Sequence, residues 1–157
     1  MPTPEFVLAL REKIGHDLLW LPAVTAVVLR EDGRVLMARR ADNGNWGPVS
    51  GIVEPGEEPA VTAVRECLEE AGVVVVVEDL VAIKAGEPVQ YPNGDRCQYL
   101  DHTFRCRWVS GEARVGDDES LEVGWFAPDD APPLPPHQRA RLEAALASDG
   151  RPRFVTA

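Results

Sequence analysis

The segment Gly51–Val73, GIVEPGEEPAVTAVRECLEEAGV, constrains this chain more than any other. A glycine is followed six positions later by Glu57, and then by a Pro59-led run that carries Arg65, Glu66, Glu69 and Glu70. Proline suits the first position of a helix, where its missing N–H would have no partner anyway. Gly72 is a usual helix stop. The segment therefore predicts a helix from about Pro59 to Gly72. At roughly 100° per residue, Val61, Val64, Leu68 and Ala71 fall on one side, and Glu66, Glu69 and Glu70 centre about 170° away. The expectation is that the apolar side docks and the three carboxylates project together from the opposite side.

Such clustering is unfavourable by itself, because like charges three or four residues apart on a helix repel by a few tenths of a kcal/mol per pair. Arg65 offers partial relief, reaching forward to Glu69 or back to Glu57. One arginine does not balance four glutamates. A divalent cation does, and hard cations such as Mg²⁺ prefer carboxylate oxygens, water and substrate phosphate.

Gly51, Glu57, Arg65, Glu66, Cys67, Glu69, Glu70, Gly72 and Val73 fill the pattern G-x5-E-x7-R-E-U-x-E-E-x-G-U, where U is apolar. This resembles the signature of the Nudix hydrolases, and more narrowly their MutT-like members. The resemblance implies an α/β (α+β) fold, an α/β/α sandwich in which a mixed β-sheet lies between helices. It implies hydrolysis of a pyrophosphate bond in a nucleoside diphosphate linked to another group, giving two phosphorylated products. Carried over onto this chain, it makes Glu66, Glu69 and Glu70 metal ligands together with the carbonyl of Gly51, for Mg²⁺ or, as a substitute, Mn²⁺. Glu57 and Arg65 become a pair that locks loop to helix. The general base is either Glu66 or a glutamate outside the signature, for which Glu119 is the candidate, with Glu122 and Asp118 behind it. The family commonly carries Leu-Pro-Gly-Gly before the loop, whereas this chain reads Pro48-Val49-Ser50-Gly51 and keeps only the last glycine.

Composition narrows the partners. A net charge of −10 argues against binding a nucleic acid polymer, which needs a basic surface. It leaves room for a small nucleotide held through metal. No apolar run approaches a membrane span, and the first residues lack a signal-peptide pattern. Cys67, Cys97 and Cys106 have neither paired nor zinc spacing, as expected for free thiols in a cytoplasmic protein.

Read in order, the chain suggests one domain over residues 1–157. A helical extension occupies 1–20, with Thr3 as N-cap and Phe6, Leu10 and Ile14 on one side; a homodimer contact is one use for it. Strands are expected over Ala23–Arg30 and Val35–Arg39, joined by a turn at Glu31-Asp32-Gly33. Arg39 and Arg40 end the second strand, where guanidinium groups can grip a phosphate. After the signature, the valine run Val73–Val77 reads as a central strand buried on both faces, and Leu80–Ala85 as another strand. Gly86–Asp95 is a loop carrying Tyr91, an aromatic able either to stack on a base or to pack at the domain edge. Arg96–Val109 is a long strand, and GDDESLE at 116–122 an acidic loop before the strand Val123–Ala127. A terminal helix at 137–148 would dock through Leu142 and Leu146.

Three other readings stay open on sequence. One is a pyrophosphatase of nucleoside triphosphates, including oxidised ones. Another is a non-catalytic nucleotide-binding module, although such modules often lose signature glutamates. The third, an isoprenoid diphosphate isomerase, would need a cysteine beside the cleft, and Cys67 is poorly placed for that.

Overall fold

The computed structural model describes residues 3–157; residues 1 and 2 of the expected extension lie outside the described residues. The described residues contain three α-helices, α1 (Glu5–Ile14), α2 (Pro59–Ala71) and α3 (Pro136–Leu146), and a short 3-10 turn at Pro128–Asp130. The strands are β1 (Leu19–Leu29), β2 (Val35–Arg40), β3 (Trp46–Gly47), β4 (Val49–Ile52), β5 (Val74–Ala85), β6 (Val89–Gln90), β7 (Arg96–Ser110) and β8 (Ser120–Phe126). They form one mixed sheet of order β3-β2-β1-β7-β5, with β4 on β1, β6 on β7 and β8 on β2. β1 and β7 run parallel from Leu19↔Cys97 to Leu29↔Arg107, and the other strand pairings are antiparallel.

Alternation along β1 explains the layers. Val24, Ala26 and Val28 face α2 and join Phe104 and Cys106 in one core. Val27 faces the other way, with Val35, Met37 and Val81, against Leu142 and Ala145 of α3. A third cluster, Val7, Leu21 and Cys97, seats α1 on β1 and β7 of the same sheet.

Several expectations are corrected. β1 begins at Leu19, so the end of the supposed helical extension is already strand. Pro4, not Thr3, is the N-cap of α1, and no side chain caps it. Val7 is the buried residue of α1, whereas Leu10 is 37% exposed. The valine run is not central: β5 lies at the end of the strand order and pairs with β7 on one side. Val75 is buried, while Val74 and Val76 face solvent. The expected break near Asp79 is a shift in pairing register within one continuous strand, as a bulge produces. In α3, Leu142 docks as expected, but its partner is Ala145 rather than Leu146.

The main correction concerns α2. Of the expected docking residues, Ala71 is fully buried and Val64 packs partly against the core, but Val61 is 56% and Leu68 55% exposed. Ala63 and Cys67 are fully buried instead, with Thr62, Glu66 and Glu70 beside them. Two rows at four-residue spacing, 63-67-71 and 62-66-70, form the docked face. The first row is small, which lets the helix lie close on the sheet. The second brings two carboxylates to the edge of the core.

Candidate active site

The helix places its charged residues from a fixed end. Pro59 sits at its first turn, and at the other end Gly72 takes the left-handed conformation, its N–H returning to Leu68 O at 3.1 Å as in an αL cap, with Val73 N–H on Cys67 O at 3.2 Å. Arg65 gathers the signature. Its Nε and Nη2 donate to Glu57 Oε1 and Oε2 at 2.8 and 2.9 Å, a bidentate clamp from loop to helix. Its Nη1 donates to Glu66 Oε1 at 2.9 Å and Glu69 Oε2 at 3.0 Å. Thr62 Oγ1 also donates to Glu57 Oε2 at 2.7 Å. The Arg65 guanidinium accordingly holds the Glu57 carboxyl down at about 2.

Glu66 is 1% exposed and lies against Gly51 so closely that a Cβ added there would overlap its carboxyl group. Its Oε2 is buried with no hydrogen-bond partner. Burial pushes Glu66 up to about 7, against the opposing pull of Arg65. Glu70 is pushed up to about 8 by burial, then by the charges of Glu66, Glu119 and Asp117. Glu119 and Glu70 line one cavity with Arg40, Ser50 and Gln138.

These residues fit a divalent cation. An orphaned buried carboxylate oxygen, two carboxyls raised chiefly by burial, and an all-oxygen donor set suit a hard ion. Among the described residues no three acidic, histidine or cysteine side chains already converge as a cage, since Arg65 occupies Glu66 Oε1 and Glu69 Oε2.

The other candidates separate by geometry. Arg40 lines the cavity and makes a bidentate pair with Asp42 at 2.9 and 2.7 Å. Arg39 instead bonds Glu122 at 3.1 Å, which occupies Glu122 as well. Tyr91 packs near α1, its hydroxyl 2.8 Å from that of Tyr99. Asp117, rather than Asp118 or Glu122, accompanies Glu119 beside Glu70. Sequence reasoning missed Asp117 and Gln138. The i, i+2 relation to Glu119 could have pointed to the first, but nothing local signals the second, which arrives with α3. Cys67 is fully buried, with its thiol raised well above the ordinary range by desolvation, so it faces no cleft.

Comparison with known proteins agrees with this geometry. The NUDIX domain family model matches residues 19–146. A "MutT-like protein" from Streptomyces ambofaciens is 39% identical over 108 residues, covering 69% of this chain and 64% of the relative. The "NAD-capped RNA hydrolase NudC" of Salmonella heidelberg is 34% identical over 117 residues, covering 73% of this chain but only 42% of the relative. Among solved structures, a MutT NUDIX hydrolase from Burkholderia pseudomallei superposes with a TM-score of 0.65 at 29% identity, covering 80% of this chain and 98% of that one. Matched over most of its length, and with Glu66, Glu69 and Glu70 of the motif on one helix and Glu66 against Gly51, this chain belongs to the NUDIX family, among its MutT-like members.

Proposed function

We propose that this chain hydrolyses a pyrophosphate bond in a nucleoside diphosphate derivative, releasing two phosphorylated products. The observation that carries this reading is the pair Glu66 and Glu70, both buried at the edge of the core, Glu66 against Gly51 with its Oε2 unpartnered. Glu66, Glu69 and Glu70, with the Gly51 carbonyl, would hold Mg²⁺ or Mn²⁺, which when bound neutralises phosphate oxygens and acidifies water.

The chain's own residues supply the rest. Arg65, clamped by Glu57, holds Glu66 and Glu69 on the same side of the helix. Arg40 at the cavity wall offers guanidinium N–H groups to a phosphate oxygen once Asp42 shares it. Glu119 is only partly buried, whereas Glu66 is sealed, so Glu119 is the carboxylate better placed to take the proton from an attacking water.

The relative named as an NAD-capped RNA hydrolase makes dinucleotides joined through a diphosphate worth testing. The net charge of −10 weighs against an RNA chain as the preferred ligand. The deciding experiment incubates the protein with nucleoside diphosphate sugars, dinucleotides, NAD-capped RNA and nucleoside triphosphates, with Mg²⁺ and with Mn²⁺, and resolves products by chromatography. A nucleoside monophosphate released from a diphosphate derivative supports the proposal. Pyrophosphate released from triphosphates alone would move the assignment to a triphosphate pyrophosphatase. No product from any of them would favour a binding module.

A further inference from the structure

The loop between β7 and β8 runs back along the end of α2. Its functional readout rests on the hydrolase reading above; its geometry does not. Arg114 N–H donates to Ala71 O at 3.0 Å, and Gly116 N–H donates to Glu70 O at 2.9 Å. Carbonyls in the last turn of a helix have no partner within the helix, so the loop's backbone caps them. The approach at Gly116 is close. A Cβ there would overlap the Glu69 carbonyl oxygen and sit 2.9 Å from its carbon. That obstacle is helix backbone, which cannot swing aside as a side-chain tip would.

From this seat the chain reaches Glu119 in three residues. Glu119 N–H donates to Asp117 Oδ1 at 3.0 Å, and Ala41 N–H donates to Glu119 O at 2.7 Å. The segment is thus held by α2 at one end and by the residue after β2 at the other. Glu119 and Glu70 then line the same cavity. Glu70 serves twice: its side chain enters the cavity, and its carbonyl accepts the latch bond.

We infer that Gly116 is a positioning residue, whose missing side chain lets residues 116–119 seat on the last turn of α2 and so sets where the Glu119 carboxylate stands relative to Glu66 and Glu70. Simple helix capping would affect stability alone. Positioning also predicts that the effect of Gly116 passes through Glu119.

The test compares Gly116→Ala, Glu119→Gln, the double variant, and a protein with one glycine inserted between Gly116 and Asp117. A misplacement of about 1 Å can cost on the order of 10²-fold in rate, so Gly116→Ala should lower kcat by about that much with KM little changed. In the double variant the loss should equal that of Glu119→Gln alone. The insertion keeps the latch but displaces the carboxylates, and should lower kcat at an unchanged melting temperature. Losses that multiply in the double variant, or wild-type kcat in the insertion, would overturn the inference. Amide exchange on the metal-free protein needs no substrate. Slow exchange at Arg114 and Gly116, lost in Gly116→Ala, supports the seat even if no compound is hydrolysed. Free exchange at both in the wild type overturns it whatever the activity.

Discussion

Glu66 and Glu70 govern how the metal-free protein should respond to pH. Both carboxyls are raised by burial, to about 7 and about 8, so both are preferentially protonated in the folded state. Their contribution is complete below the ordinary carboxylate range and is lost as pH rises through 7 to 8. The depressed carboxylate Glu57, at about 2, has the opposite sign but is fully ionised by pH 5. Metal-free protein should therefore melt at lower temperature at pH 8.5 than at pH 5.5, by an amount equivalent to a few kcal/mol. Millimolar Mg²⁺ should raise the melting temperature more at pH 8.5, because the cation needs the ionised carboxylates. A calorimetric series with and without chelator reads both effects; a flat profile from pH 5.5 to 8.5 would contradict the burial argument. Glu70→Gln removes one ionisable group while keeping its shape. It should abolish turnover yet make the metal-free fold more stable at pH 8.5, a combination that separates a binding role from a structural one.

At the scale of the element, α2 is packed by size rather than by hydrophobicity. Ala63, Cys67 and Ala71 meet the sheet, while Val61 and Leu68 face out. Leu68→Gln should then change stability by no more than about 0.5 kcal/mol, as surface substitutions do. Ala63→Leu should cost about 1–3 kcal/mol through overpacking, and should also lift Glu66 away from Gly51. Urea unfolding of the two variants checks the pair, and a larger loss from Leu68→Gln would restore the apolar-side expectation. The boundaries of α2 were legible from Pro59 and Gly72 because capping is local chemistry. Its orientation was not. A rotation of the helix leaves the sequence pattern unchanged, and the usual inference from valine and leucine to core fails where close approach and buried carboxylates decide the face.

Across the whole molecule, a buried polar knot joins sheet to α3. Asp101 is 4% exposed and accepts from Thr25 Oγ1 and Thr103 Oγ1, both at 2.7 Å, while Arg141 Nε lies 3.3 Å from its Oδ2. Arg141 in turn donates to Gln138 Oε1 at 3.4 Å, beside the cavity that holds Glu70 and Glu119. Asp101→Ala strands two buried hydroxyls and one guanidinium, and should lower stability by about 3 kcal/mol in denaturant melts. By itself the sequence determined the signature, the helix ends, most strand positions, and the carboxylates gathered on one helix, because all of these follow from spacing along the chain. Only the tertiary structure decided which face of α2 is buried, that the valine run lies at a sheet edge, that Arg40 rather than Arg39 reaches the cavity, that Gln138 joins it, and that the charge of Asp117 acts on Glu70. Those outcomes depend on contacts between residues far apart in the chain, where shape and desolvation outweigh local preference.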